Sequence, residues 1–167
     1  MNWTDLLKAE MENAYQASEG LIGMVDEAKL DWKPAGDNNW MTTGQLVRHV
    51  TNACGFCVQM FVDPSAMPEH DGPEMPTAEK MPTVSSIDEA KKLLAEDKAL
   101  AYGMIEQAGE GRLANEGTPA PWDPTPMPLG RRLLSMVEHL NMHKGQLFMY
   151  LKMQGKPVNT MHLYGMG

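Results

Sequence analysis

Residues 129–154, LGRRLLSMVEHLNMHKGQLFMYLKMQ, contain Glu138-His139-Leu140-Asn141-Met142-His143, and the reading of this stretch decides the fold. Leu133, Met136, Val137, Leu140, Leu147, Phe148 and Leu151 recur at helical spacing, which predicts one long helix. Pro128 suits the first turn, where its missing N–H would have no partner. Gly155 suits the left-handed position after the last turn, Lys152 and Lys156 complement the negative end of the helix, and Pro157 prevents continuation. His139 and His143 lie four residues apart. At ~3.6 residues per turn, their imidazoles stack on one face, a bidentate arrangement for a divalent metal. On a helical wheel they lie ~100° from the centre of the apolar stripe, on the flank of the core. Two half-buried histidines bonded to backbone or water give the same pattern, so the pair alone leaves both readings open.

Composition narrows the function. The chain has 167 residues, enough for one domain (1–167) with a sizeable core, and a formal net charge of −8. That charge argues against nucleic acid or an anionic membrane as partner. The N-terminal residues lack the basic and apolar regions of a secretory signal, and no apolar run reaches the length of a membrane span. Two cysteines make no disulfide framework. A cytoplasmic protein is the expectation. The 16 methionines suit core filling, or an adaptable pocket.

Upstream, residues 2–28 read as a first helix, with Gly20 and Gly23 marking a bend or a close approach. Residues 30–40 read as a loop bracketed by Trp32 and Trp40, which pin it to the end of the bundle. Thr42 and Gln45 form a capping-box pattern, with Met41 and Leu46 placed as a hydrophobic staple. Helix two then runs through Leu46, Val50, Ala53, Cys54, Cys57, Met60 and Phe61. His49 lies ~80° from the centre of its apolar stripe, so a third histidine also sits on a core flank. Residues 62–85 form a proline-rich connection long enough to cross the bundle, since about ten extended residues span ~30 Å. A crossover, a lid and a loose insertion all fit it. Ser86 and Glu89 start helix three, which Gly109 ends. Residues 110–128 read as irregular, and the tail after Gly155 has no periodicity. Four helices with apolar flanks predict an all-α four-helix bundle.

Such a bundle can bring His49, His139 and His143 together. Three neutral imidazoles leave a coordination position open, the composition of a catalytic rather than a closed structural site. The chain resembles the DinB/YfiT-like family of metal-dependent enzymes. The residues that carry the resemblance are Trp40-Met41-Thr42-Thr43-Gly44-Gln45-Leu46-Val47-Arg48-His49, His139-Leu140-Asn141-Met142-His143-Lys144-Gly145-Gln146 and Trp32-Lys33-Pro34. The resemblance implies an up-down-down-up four-helix bundle and a divalent metal on His49, His139 and His143. Nickel or zinc is the expected metal, with iron or manganese as substitutes. It also implies a homodimer and a small-molecule substrate. Thiol-dependent S-transferases that use low-molecular-weight thiols occur in the family, as do a thiol-dependent isomerase and hydrolase-like members.

Two chemistries suit the site. A metal can lower the pKa of bound water to ~7 for hydrolysis, or acidify a small thiol for attack on an electrophile. Both expect an open position beneath residues 62–85 and 110–128. The carboxylates expected within reach are Glu69, Asp71, Glu74, Glu116 and Asp123, whereas Glu138 points elsewhere on the wheel. Gln146 and Tyr150 are candidates to orient the histidines. Cys54-x-x-Cys57 lies inside a helix and reads as core packing, not as a redox pair. Trp122 reads as a packing residue, and His70 as solvated. His162 reads the same way, or else as a ligand across a dimer.

Overall fold

The computed structural model describes residues 2–36, 39–66 and 77–167. The turn residues Asp37 and Asn38, and Glu69, His70, Asp71 and Glu74 of the long connection, lie outside the described residues.

Helix α1 spans Trp3–Gly23 and is shorter than the expected 2–28. The Asn2 side chain caps it by accepting the Asp5 N–H at 2.8 Å. A 3₁₀ turn follows at Glu27–Lys29. Gly20 has no neighbour that an added Cβ would meet, so it marks no close approach.

Helix two is broken in the middle. Helix α2 covers Thr43–Val50 and α3 covers Gly55–Val62, with turns between them. The start of α2 is the capping box expected from Thr42 and Gln45, with reciprocal bonds of 3.2 and 2.8 Å. The break has a tertiary cause. Asp97, only 6% exposed on a neighbouring helix, accepts the Gly55 N–H and the Phe56 N–H, both at 2.8 Å. A Cβ on Gly55 would clash with the Asp97 carbonyl oxygen, so only glycine permits this approach.

Helix α4 spans Ile87–Asn115 with a non-helical Gly109 inside it (φ 66°, ψ 161°). That conformation is almost restricted to glycine, so Gly109 interrupts the helix as expected, but a further helical segment follows. The Ser86 hydroxyl accepts the Glu89 N–H at 3.1 Å. The Glu89 carboxylate reaches back to the Ser85 N–H and hydroxyl instead of to the Ser86 backbone.

The stretch expected to be irregular contains an antiparallel hairpin, β1 (Gly117–Ala120) with β2 (Asp123–Pro128). Pro124, Pro126 and Pro128 recur every second residue, the period at which strand N–H groups face one edge. The missing donors therefore fall on a single side of the strand. Buried Arg132, in the helix that follows, holds the hairpin down: it donates to the Thr118, Asp123 and Thr125 carbonyls and pairs with the Asp123 carboxylate at 3.0 Å.

Helix α5 runs Leu129–Met153, and Gly155 adopts the expected positive φ of 80°. The tail forms a short helix, α6 (Thr160–Leu163), against α1. Around the core, α1 packs on α4 and α5, α2 on α5, and α3 on both α4 and α5. Leu7, Met11, Leu21, Leu46, Ile105, Leu133, Leu140 and Leu147 fill the interior. The fold is all-α apart from the hairpin. Among the described residues, no helix is long and apolar enough to cross a membrane.

Candidate metal centre

The last turn of α2 brings His49 to the His139–His143 face of α5. All three side chains are half-buried, as their flank positions predict, and their nearest ring nitrogens lie within 4.8 Å of one another. The Nε2 atoms of His143 and His139 are 2.8 Å apart, and those of His143 and His49 are 3.0 Å apart. The rings meet edge to face, with centroids 4.2–5.5 Å apart.

Two of the three rings are oriented from behind. The His139 Nδ1–H donates to the Ala53 carbonyl at 2.9 Å, and the His143 Nδ1–H donates to Gln146 Oε1 at 2.8 Å. A neutral imidazole that donates from Nδ1 has its lone pair on Nε2. Lone pairs therefore point into the space between the rings. Burial, reinforced by the neighbouring His143, His139 and Arg48, pushes the His49 pKa down to about 4. His143 is also lowered, chiefly by burial and against the pull of Gln146. Neutral rings with converging lone pairs repel one another unless a proton or a cation lies among them. The donor set fits a divalent ion that accepts imidazole nitrogen. Among the described residues, no carboxylate or thiol joins the cluster.

A cavity of about 310 Å³ opens beside His49, lined by Asn39, Trp40, Met41, Ala78, Met81, Gln146 and Tyr150. Trp32 and Trp40 both stand edge-on to Tyr150, at 5.6 and 6.3 Å, so the tryptophans do pin the loop to the bundle. The Tyr150 hydroxyl donates to the Met41 carbonyl at 3.0 Å and bonds to none of the histidines. Of the two residues expected to orient a histidine, Gln146 does so and Tyr150 lines the cavity. Ala78 and Met81 bring the end of the long connection to the cavity wall. The hairpin contributes nothing to that wall.

Other candidates fall elsewhere. Glu116 pairs with Arg112 at 2.6 Å, and Asp123 with Arg132 at 3.0 Å. Glu138 pairs with Arg131 at 3.2 Å. His162 bonds to Asn159 in the α6 cap and lies outside the histidine cluster. Trp122 meets Phe61 edge-on at 6.0 Å but remains 63% exposed. Cys54 is buried and Cys57 half-buried, and burial raises both thiol pKa values, Cys57 to about 11, which suits packing and not redox exchange. The Ala53 carbonyl and Asp97 were not anticipated. Gly55, an isolated glycine within an apolar helical pattern, was their one sequence signal.

A family model of the DinB superfamily matches residues 10–147, most of the chain. The chain belongs to the DinB superfamily. This DinB protein also resembles the crystal structure of a conserved protein from Enterococcus faecalis, with a TM-score of 0.70 over 93% of this chain and 99% of that one. At 18% identity, the likeness speaks for the fold alone. A comparison with curated protein sequences finds no match.

Proposed function

We propose that His49, His139 and His143 hold a divalent metal ion and that the protein is a metal-dependent enzyme acting on a small molecule. Nickel or zinc suits three imidazoles best, with iron or manganese as substitutes. The observation that carries the reading is the convergence of three half-buried imidazoles, two of them fixed in the tautomer a metal requires. When bound, the ion supplies Lewis acidity at an open position, making a water or a thiol acidic near neutral pH.

The described residues favour a thiol over water. Among the described residues, Glu116, Asp123 and Glu138 are tied to arginines, and the Tyr150 hydroxyl is tied to a backbone carbonyl. Hydrolysis gains from a positioned base, whereas an acidified thiol releases its proton to solvent and needs none. Trp40, Met41 and Tyr150 would flank the apolar body of the electrophile, and at the His49 end of the cavity a thiolate sulfur would bond to carbon as the bond from that carbon to the leaving group breaks. The reading is therefore a thiol-dependent S-transferase, with a hydrolase as the other enzymatic form. Its expected working state is a homodimer, as the family resemblance implies, in the cytoplasm, as the sequence composition suggests.

Nickel titration followed by a small thiol tests this. The expected result is about one ion per chain and a new thiolate-to-nickel charge-transfer absorption when the thiol is added. Stoichiometric nickel that accepts no thiol or other outside ligand would favour the alternative, a metal-binding bundle without turnover.

A further inference from the structure

We propose that Asp97, which touches none of the histidines, is a positioning residue for His139, acting through the break between α2 and α3. The inference rests on the three-histidine reading for its bearing on metal binding, but its geometry is independent of any ion. In an unbroken helix, the Ala53 carbonyl would accept the backbone N–H four residues on. Here the chain turns at residues 51–54, and that carbonyl accepts the His139 Nδ1–H at 2.9 Å instead. Asp97 holds the turn in place. Its two oxygens take the Gly55 and Phe56 N–H groups, the first donors of α3, at 2.8 Å each. Tyr15 of α1 fixes the carboxylate from the other side, with its hydroxyl donating at 2.7 Å.

A connected path follows, from Tyr15 on α1 to Asp97 on α4, to the start of α3, to the Ala53 carbonyl, to His139 on α5. Groups from α1, α3 and α4 thus bear on the orientation of one imidazole on α5. The path decides which nitrogen of His139 carries the proton. With Nδ1–H held by Ala53, the Nε2 lone pair must face His143 and His49. Without that carbonyl, the imidazole is free to protonate on Nε2, which removes a ligand atom from the cluster.

The test reads the tautomer in metal-free protein by ¹⁵N–¹H correlation of the histidine ring nitrogens. Wild-type His139 should show a protonated Nδ1 and an unprotonated Nε2. A wild-type His139 protonated on Nε2 would overturn the proposal without any variant. Asp97→Asn should produce a mixture of tautomers at His139 and weaken nickel or zinc binding by about 10- to 100-fold, as orienting partners of metal ligands do. Tyr15→Phe, a milder change, should move both readouts in the same direction. Leu94→Ala, a core truncation on the same helix, should lower stability and leave the tautomer unchanged. If Asp97→Asn and Tyr15→Phe keep the wild-type tautomer and affinity, Asp97 acts on stability alone and the proposal fails. If wild-type protein binds no metal yet shows the Nδ1–H tautomer that Asp97→Asn disrupts, the metal reading fails and the positioning path stands.

Discussion

Two polar clusters lie within the bundle, and they settle their polarity in opposite ways. At Asp97, one carboxylate meets three protein donors, the Tyr15 hydroxyl and the amides of Gly55 and Phe56. Burial raises its pKa, and those same hydrogen bonds pull it back. The cluster is closed. At the histidines, the rear nitrogens of His139 and His143 are satisfied while the front nitrogens of all three rings face one another. That cluster is open, with room among its nitrogens for a proton or a cation. A polar group whose partners all lie within the fold needs no ligand, whereas nitrogens turned towards one another at a cavity leave a place for one.

The contrast breaks most sharply under substitution. His139→Ala should abolish metal binding while helix content by circular dichroism stays at the wild-type level. Stoichiometric metal in that variant would remove His139 from the site. Asp97→Ala should show a different pattern, with a stability loss of about 3–5 kcal/mol in urea unfolding, because three buried donors lose their acceptor. A loss under ~1 kcal/mol would mean that water replaces the carboxylate.

Protonation separates the clusters further. His49 has a folded pKa of about 4, below its ordinary value of 6.5. Below pH ~6.5, the unfolded chain takes up a proton that folded His49 refuses. Stability of the metal-free protein should therefore hold above that pH and decline as pH falls towards 4, with His49→Phe reducing the slope. An unchanged slope in the variant would place the titration elsewhere. The smallest effect is local: Thr42→Ala should cost about 1 kcal/mol through loss of the α2 cap, with little change in metal affinity.

What the sequence discloses follows the same division. Local chemistry was legible: Thr42 with Gln45, the HxxxH face and the flank position of His49 all depend on residues a few positions apart. The break at residues 51–54 was not, because its cause is a carboxylate on another helix and the apolar pattern runs unbroken across it. Gly55 was the trace left by that contact. The hairpin at 117–128 was hidden by its prolines, which read as breakers until their two-residue period is set against a strand edge. Glu116 and Asp123 looked available to the site because composition cannot show that Arg112 and Arg132 already hold them.

Whether His49, His139 and His143 form one metal centre is decided by the metal content of protein purified without a histidine tag, alongside His49→Ala. About one divalent ion per chain in wild type, lost in the variant, is the predicted result. Absence of metal from wild type even after incubation with nickel or zinc, or its retention in His49→Ala, would rule out the three-histidine centre.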